Sequence, residues 1–367
     1  MSETDPEKNR EIVEAFLGKE RAAKYASVIQ GGAGNEKTGA QNKSTAELMD
    51  EARNIRKQMD KLGNEKALQK LEPWLENEFH DEYQRQINLL EMRGFLETQG
   101  GRRGIADEQG NFYPVPSVGS VIGRIKEKAA IIQEKRAQGF ERFLLVPFAC
   151  SPNKFVDAYN EYVEEHPDDL FQRNGKPVSL GRGTGDPAMM QSTIFGSPVR
   201  ESHYFPTNYD FAEEGELPTK EEVLAKKQGS SNSLSFPGFQ MLFLENDLEM
   251  EEKYMPDIPD GGRSRIKKGK SPEEYMQLLA GSQQYAHERG LTIEEYLTLA
   301  LNELVYGRKI LDGDIGGHAC MLLGSFFLSI DCVPYISSDR TGVVFIGSRV
   351  SNTLMSEDDG IRTVVQL

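Results

Sequence analysis

The segment that decides the fold is the last part of the chain, Cys332-Val-Pro-Tyr-Ile-Ser-Ser-Asp-Arg-Thr-Gly-Val-Val-Phe-Ile-Gly-Ser-Arg-Val-Ser-Asn-Thr-Leu-Met-Ser-Glu-Asp-Asp-Gly-Ile-Arg-Thr-Val-Val-Gln-Leu367. Its β-branched ending predicts a terminal strand. Residues 322–354 contain no Lys, Glu, Gln, Met or Trp. These five types make up about a quarter of the chain, so roughly eight would be expected there. Strand composition explains missing Lys and Glu, but it accounts less well for missing Gln and Met.

Two motifs frame this segment: Val333-Pro334 at its start and Gly360-Ile-Arg-Thr-Val-Val-Gln-Leu367 at its end. With this spacing they resemble the variable region of proteins diversified by diversity-generating retroelements, in particular the candidate-phylum bacterial type with a C-type lectin fold. Four upstream blocks resemble the same family, and the resemblance begins near residue 95. These blocks are residues 104–117, 143–148, 203–206 and 271–279.

The resemblance implies an α+β fold in which a C-type lectin-like domain, residues 141–367, follows a helical N-terminal region, residues 1–140. The variable region would span about 333–367. Adenine-directed mutagenesis of AAY codons, the mechanism of this family, cannot write Trp, Gln, Lys, Glu or Met. Ala and His are also missing from 322–354, and the codon rule does not explain those two. Periodicity by itself gives only α+β.

The resemblance also implies a non-enzymatic protein that binds a variable ligand, expected to be a protein. Its binding residues should point outward, and they mix aromatic, hydroxyl, amide and charged groups as an antibody paratope does. An ordinary β-hairpin with polar turns is the plainer interpretation. The candidate ligand-binding residues are Tyr335, Ser337, Ser338, Asp339, Arg340, Phe345, Ser348, Arg349, Ser351 and Asn352. The expected scaffold residues beneath them are Val344, Ile346, Val350, Ile361, Val364 and Val365.

Composition bounds the partners and the compartment. A formal net charge of −15 over 367 residues argues against nucleic acid or an anionic membrane as a general partner. Three cysteines without a CxxC spacing favour a reducing compartment. The charged N-terminus has no apolar signal region and no stretch is long enough for a membrane span, so we expect a soluble, cytoplasmic protein, with export by another route left open.

Apolar spacing predicts helices over residues 5–30 and 44–98, with a Gly-rich loop near 31–43 and a break near Leu71 because Pro73 suits a first helical turn. Further helices are predicted over 121–138, 152–165 and 292–306. Strands are predicted at 143–150 and 239–244. Ser271 and Thr292, each followed by Glu at the third position, predict capping boxes. Residues 207–235 are expected to form an exposed insertion.

The residues offer little for catalysis or metal binding. The five histidines are scattered without a metal-ligand spacing, so neither a metal nor a cofactor is expected. Glu357-Asp358-Asp359 offers oxygens for calcium but is typical of a solvated loop. The Gly-rich stretch 181–187 is typical of a turn. An oxidase of the formylglycine-generating type is the enzymatic alternative, and it requires a reactive thiol at Cys320 or Cys332. A structural or phage-borne interaction module is a third interpretation.

Overall fold

A computed structural model gives the structure of most of the chain. It describes residues 45–166, 172–173, 176–177, 180–181, 202–207, 217–226, 236–248, 263–312, 319–328, 331–338, 344–352 and 357–367. The predicted helix 5–30, the loop near 31–43 and nearly all of the 181–187 turn lie outside these ranges. The chain divides into two compact units, residues 1–62 and 63–367. The predicted boundary between residues 140 and 141 falls inside the second unit.

The architecture is a mixture of helices and sheets, as expected for an α+β chain. None of the helices in the described ranges is long and apolar enough to cross a membrane. The helices are α1 (Thr45–Asn77), α2 (Phe79–Met92), α3 (Val118–Glu127), α4 (Ala129–Ala137), α5 (Pro152–Glu165), α6 (Lys220–Ala225), α7 (Pro272–Gly281) and α8 (Ile293–Asn302), with a 3-10 turn at Gln283–Tyr285 and a π turn at Glu303–Gly307.

Most predicted helices are found, with shifted ends. Helix α5 spans 152–165 as predicted, because the Ser151 hydroxyl caps its first turn. The predicted helix 121–138 is two helices that meet at Lys128. The predicted break near Leu71 is wrong, since α1 continues through Pro73 to Asn77. Leu71 and Trp74 on either side of the proline are buried in the core, and this packing outweighs the lost backbone hydrogen bond.

Both predicted capping boxes are present. The Ser271 hydroxyl accepts from Glu274 N at 3.2 Å, while the Glu274 carboxylate accepts from Ser271 N at 2.7 Å. Thr292 and Glu295 make the same reciprocal pair at the start of α8. A third box, which the sequence analysis did not single out, begins α6 at Thr219. The expected insertion 207–235 therefore contains a helix whose Val223 is fully buried.

Within the ranges that the structure describes, the strands form two main sheets and two small ones. They are β1 (Glu97–Gln99), β2 (Arg102–Ala106), β3 (Phe112–Pro114), β4 (Arg142–Val146), β5 (Gln172–Arg173), β6 (Lys176–Pro177), β7 (Leu180–Gly181), β8 (Ser202–Tyr204), β9 (Gln240–Leu244), β10 (Glu288–Gly290), β11 (Cys320–Met321), β12 (Ser325–Phe327), β13 (Cys332–Ser338), β14 (Val344–Val350), β15 (Gly360–Ile361) and β16 (Thr363–Gln366).

The first main sheet is antiparallel, in the order β10-β16-β9-β4. The predicted terminal strand β16 thus returns to lie between β9 and β10, with Val364 opposite Leu244 and Arg289. The second main sheet runs β15-β11-β13-β12-β8, and β14 pairs with both β13 and β7. The segment poor in Lys and Glu therefore supplies the central strands of the second sheet.

One apolar core joins the helices to the first sheet. Phe79 of α2 meets Phe143 of β4 edge-on at 5.0 Å between ring centroids, and Phe95 lies 4.7 Å from Phe155 of α5. Residues on both sides of the predicted boundary at 140/141 therefore share this core. A second cluster, with Tyr275 among its residues, lies beneath the second sheet. Each such buried side chain contributes roughly 1.5–3 kcal/mol.

Candidate functional site

The candidate site is built on the β13–β14 hairpin. The two strands pair in seven steps, from Cys332 opposite Val350 to Ser338 opposite Val344. The other edge of β13 is also occupied, because Ile336 pairs with Cys320 of β11 and Cys332 pairs with Phe327 of β12. Backbone hydrogen bonds on both edges therefore fix β13, and with it the register of the residues that it presents.

Tyr335 and Gly347 form a close pair across the hairpin. They are directly opposite in the register, and Tyr335 is half-buried. A Cβ added to Gly347 would lie 2.5 Å from Tyr335 Cζ and 2.6 Å from its Oη. The ring therefore covers the backbone of Gly347, and a larger residue at position 347 requires the ring to move.

Ser351 closes the other end of the hairpin. Its hydroxyl donates to Asp331 Oδ1 at 3.3 Å, and its carbonyl accepts from Glu273 N at 3.3 Å. Asp331 occupies the left-handed region, with φ +50°, in the turn before β13. Burial raises the pKa of the Asp331 carboxyl, and the Ser351 hydroxyl opposes that rise. Ser351 thus ties the end of β14 to this turn and to α7.

The expectation that all ten candidate residues point outward is wrong for two of them. Ser337 and Ser351 are only 6% and 5% exposed, and the Ser351 hydroxyl is held by Asp331. Tyr335 and Ser348 are half-buried, and Asn352 is exposed. Of the rest, Asp339 and Arg340 lie outside the described residues. For Ser338, Phe345 and Arg349 the structure describes the backbone in β13 or β14 but not the side chain.

The expected scaffold is buried at three of its positions. Ile361, Val364 and Val365 are at most 5% exposed. Val350 was wrongly placed in the scaffold, since it is 41% exposed at the last pair of the hairpin. The side chains of Val344 and Ile346 lie outside the description.

The C-terminal motif, residues 360–367, is held by a buried ion pair that sequence reasoning missed. Arg362 donates to both carboxylate oxygens of Asp312, at 2.5 and 2.7 Å, and from Nε to the Leu248 carbonyl at 3.0 Å. Tyr296 donates to Asp312 Oδ2 at 2.9 Å. Burial acts to lower the pKa of Arg362, but the charge of Asp312 outweighs it and the pKa is raised. Asp312 lies beyond the π turn that follows α8, so the segment after that helix helps to hold the start of the terminal strand.

A second buried charge cluster surrounds Glu288 of β10. Lys135 Nζ and Arg263 Nε both donate to its Oε1 at 2.7 Å. Arg263 Nη2 and the Thr363 hydroxyl donate to its Oε2 at 2.7 and 2.8 Å. Both carboxylate oxygens are therefore occupied, so the cluster joins α4, β10 and β16 instead of offering a group to a substrate.

All three cysteines are buried free thiols. Burial raises the pKa of Cys320 to about 12 and the pKa of Cys332 and Cys150 to about 11. Cys320 lies opposite Ile336 in the register, four residues along β13 from Cys332. At ~3.3 Å per residue, the two cysteines are separated by roughly 13 Å along the sheet. The described thiols therefore do not resemble a reactive or redox-active pair.

The described acids and histidines form no metal centre: within the ranges that the structure covers, no group of three or more His, Cys, Asp or Glu residues is placed to hold an ion. In the calcium candidate, Glu357 is exposed while Asp359 is buried. Asp359 Oδ1 accepts from Ala319 N at 3.0 Å, and its carbonyl accepts from Gly269 N at 2.8 Å. His203 Nδ1 contacts the Leu217 carbonyl at 3.0 Å, and His318 lies outside the described residues.

A cavity of about 270 Å³ is a feature that sequence reasoning missed. Arg289 in its wall donates to both oxygens of Glu295 and to Gln366 Oε1, and its guanidinium lies 4.8 Å from the Phe205 ring centroid. The walls are otherwise mainly apolar, with Met276 and Leu279 from α7. The segments that line the cavity are far apart in the sequence and come together only when the sheets form. No local sequence pattern therefore indicates the cavity.

Comparison with known proteins identifies no relative. No family model, no curated protein and no solved structure matches the chain.

Proposed function

We propose that this protein is a non-enzymatic ligand-binding protein whose C-terminal, lectin-type surface is diversified by a retroelement to recognise varied protein ligands. The observation that carries the proposal is the absence of Lys, Glu, Gln, Met and Trp from residues 322–354. This stretch coincides with β12, β13 and β14. The absence of these five residue types therefore falls on one hairpin and its neighbouring strand.

The arrangement of the hairpin suits this role. Strand β13 is paired on both edges, so backbone hydrogen bonds, which do not depend on side-chain identity, help to hold its position. The buried terminal strand in the first main sheet contributes Val364 and Val365, which lie outside residues 322–354. Diversified side chains need such a rigid, unchanging support if the domain is to fold with every sequence.

The burial of Ser337 and Ser351 narrows the proposed binding surface. Among the described side chains, Tyr335 is half-buried and Asn352 is exposed, whereas the hydroxyl of the half-buried Ser348 is itself buried. Tyr gives a large amphipathic contact at low entropy cost, while Asn adapts its hydrogen bonds, which is part of the mixture found in protein-binding paratopes. We therefore assign ligand contact to Tyr335 and Asn352, together with the candidate positions whose side chains are not described.

The enzymatic alternative receives no support from the thiols. An oxidase of the formylglycine-generating type needs an accessible thiol with a lowered pKa. Cys320 and Cys332 are 0% and 4% exposed, and burial raises the pKa of both thiols.

Sequencing of the gene and its flanking DNA tests the proposal. We expect a second, near-identical copy of the final coding segment, with AAY codons opposite the codons for Tyr335, Ser338, Asp339 and Asn352. The codons for Ile361 and Val364 are the internal control, and they should be the same in both copies. A gene without such a copy, or differences spread evenly over hairpin and terminal strand, would remove the basis for diversification.

A further inference from the structure

The N-terminal part of α1 carries an apolar stripe with coiled-coil spacing. Leu48, Ala52, Ile55, Met59 and Leu62 follow one another at intervals of 4, 3, 4 and 3 residues. These are positions d, a, d, a and d of a heptad repeat. Leu62 is 37% exposed. This stripe therefore presents apolar residues along one face of the helix, and apolar faces of this kind are normally covered by a partner.

The stripe is distinct from the buried face of the same helix. Ala67, Leu71 and Trp74 are buried in the core, and in the same heptad count they fall at b, f and b. Leu62 and Ala67 are separated by five residues, which is a rotation of about 140° around the helix axis. The apolar residues after Leu62 therefore lie on a different side of the helix from the stripe. One neighbouring helix, packed along a single line of α1, cannot cover both the stripe and the buried residues that follow it.

The outer positions of the stripe are polar and exposed. Of the described side chains between residues 53 and 62, Ile55 alone is half-buried and the others are exposed. The exposed side chains at positions b, c and f are Asp50, Arg53, Asn54, Lys57, Asp60 and Lys61. This is the pattern of a helix that meets one neighbouring helix along its a and d positions.

Charges beside the stripe select a parallel neighbour with the same sequence. Glu51 lies at g and Arg56 at e. In a parallel pair of identical helices, a g residue faces the e residue five positions further along the other helix, so Glu51 faces Arg56 twice by symmetry. In an antiparallel pair, g faces g and e faces e. Positions g hold Glu51 and Gln58, and positions e hold Met49 and Arg56, so no opposite charges would meet.

We infer that residues 48–62 of α1 pair in parallel with the same residues of a second copy of this chain. Two heptads form a short coiled coil, and isolated helices of that length are marginal in water. Here the helix continues without interruption to Asn77. The helical conformation of residues 48–62 is therefore propagated from a longer helix and does not need its own nucleus. This inference concerns self-association and is independent of the proposed ligand binding.

Sedimentation equilibrium of the full chain over a concentration series tests the inference. We expect a reversible monomer–dimer equilibrium. Ile55→Lys should abolish the dimer, whereas the matched control Lys57→Glu, at an outer f position, should leave it unchanged. Circular dichroism of both variants checks that the fold is retained. A chain that stays monomeric at every concentration, or an Ile55→Lys variant that still dimerises, overturns the inference.

Charge reversal tests the parallel orientation. Glu51→Arg alone or Arg56→Glu alone should weaken dimerisation roughly tenfold, and the double reversal should restore it. Leu62→Cys should give a disulfide-linked dimer on mild oxidation, because d faces d only in a parallel pair. The three native thiols are buried and do not compete. Two results would indicate that the stripe packs against another segment of the same chain and not against a second copy. In the first, the double charge reversal does not restore dimerisation. In the second, the protein is a monomer whose melting temperature falls with Ile55→Lys.

Discussion

The thiols give the sharpest test of a binding protein against an oxidase. All three cysteines are buried, and burial raises the pKa of Cys320 to about 12 and the pKa of Cys332 and Cys150 to about 11. The thiolate is the reactive form of cysteine. We therefore expect the native protein to react slowly with a thiol reagent such as Ellman's reagent, and to release three equivalents of product only after denaturation.

The expected slowing follows from the pKa values. At about pH 7.5 an ordinary thiol with a pKa near 8.5 is roughly one-tenth ionised. A pKa of about 11 at Cys332 lowers the ionised fraction roughly 300-fold, and a pKa of about 12 at Cys320 lowers it roughly 3,000-fold. The more basic thiolates are roughly 10- to 40-fold better nucleophiles, which offsets part of this loss. Ionisation alone then slows Cys332 roughly 20-fold and Cys320 roughly 80-fold, and lack of access slows both further.

The assay compares the native chain with a short unstructured peptide that contains one cysteine, in the same buffer. Single Cys→Ala variants at positions 150, 320 and 332 assign each kinetic phase to one thiol. A native thiol that reacts as fast as the peptide, or faster, would refute the argument from burial. If that thiol were Cys320 or Cys332, the oxidase would become the leading interpretation.

Three further predictions concern the hairpin and its support. Gly347→Ala should lower the free energy of unfolding by roughly 1–3 kcal/mol because its Cβ would meet the Tyr335 ring, and the same change in a Tyr335→Ala background should cost less, as a double-mutant cycle in urea would show. Asn352→Ala should change the free energy of unfolding by less than about 0.5 kcal/mol because Asn352 is exposed. In the same denaturation experiment, Ile361→Ala should cost roughly 2–4 kcal/mol because Ile361 is buried. Equal losses would contradict the assignment of Asn352 to the surface and Ile361 to the scaffold. Burial raises the pKa of Glu82, so its contribution to stability is fully present below the unfolded pKa of about 4.3 and is lost as the pH rises through the folded pKa. Glu82→Gln should therefore flatten the rise in stability as the pH is lowered towards about 4.3, and an unchanged profile would count against this.

Local signals in the sequence predicted much of the framework. Helix α5 and the two expected capping boxes depend on residues within one helical turn, and all three are where they were predicted. The break near Leu71 failed for the opposite reason. Pro73 is a local signal, but the burial of Leu71 and Trp74 is a tertiary effect that a single sequence does not display.

The candidate site was less predictable because its burial depends on pairing between distant segments. Ser337 is a small polar residue of a type common at protein surfaces, yet its side chain is only 6% exposed in the fold. The partner of Arg362 is Asp312, which is distant in sequence, and no local pattern joins them. The position of Ser351 depends on the turn at Asp331 and on the start of α7.

The buried ion pairs lie outside the proposed variable stretch in the sequence, and this separation has a physical consequence. Lys135 and Glu288 hold the first sheet from positions outside residues 322–354, and Arg362 and Asp312 do the same for the terminal strand. Within that stretch, the described contacts that hold β13 and β14 are backbone hydrogen bonds, apolar packing and the hydrogen bond from the Ser351 hydroxyl to Asp331. Loss of one partner of a buried ion pair typically costs 3–5 kcal/mol, whereas an exposed substitution on a paired strand costs ~0.5 kcal/mol or less. Mutations confined to exposed positions of the hairpin would therefore leave the buried ion pairs untouched, whereas a change at a buried position such as Ile336 would create a cavity in the core and cost stability.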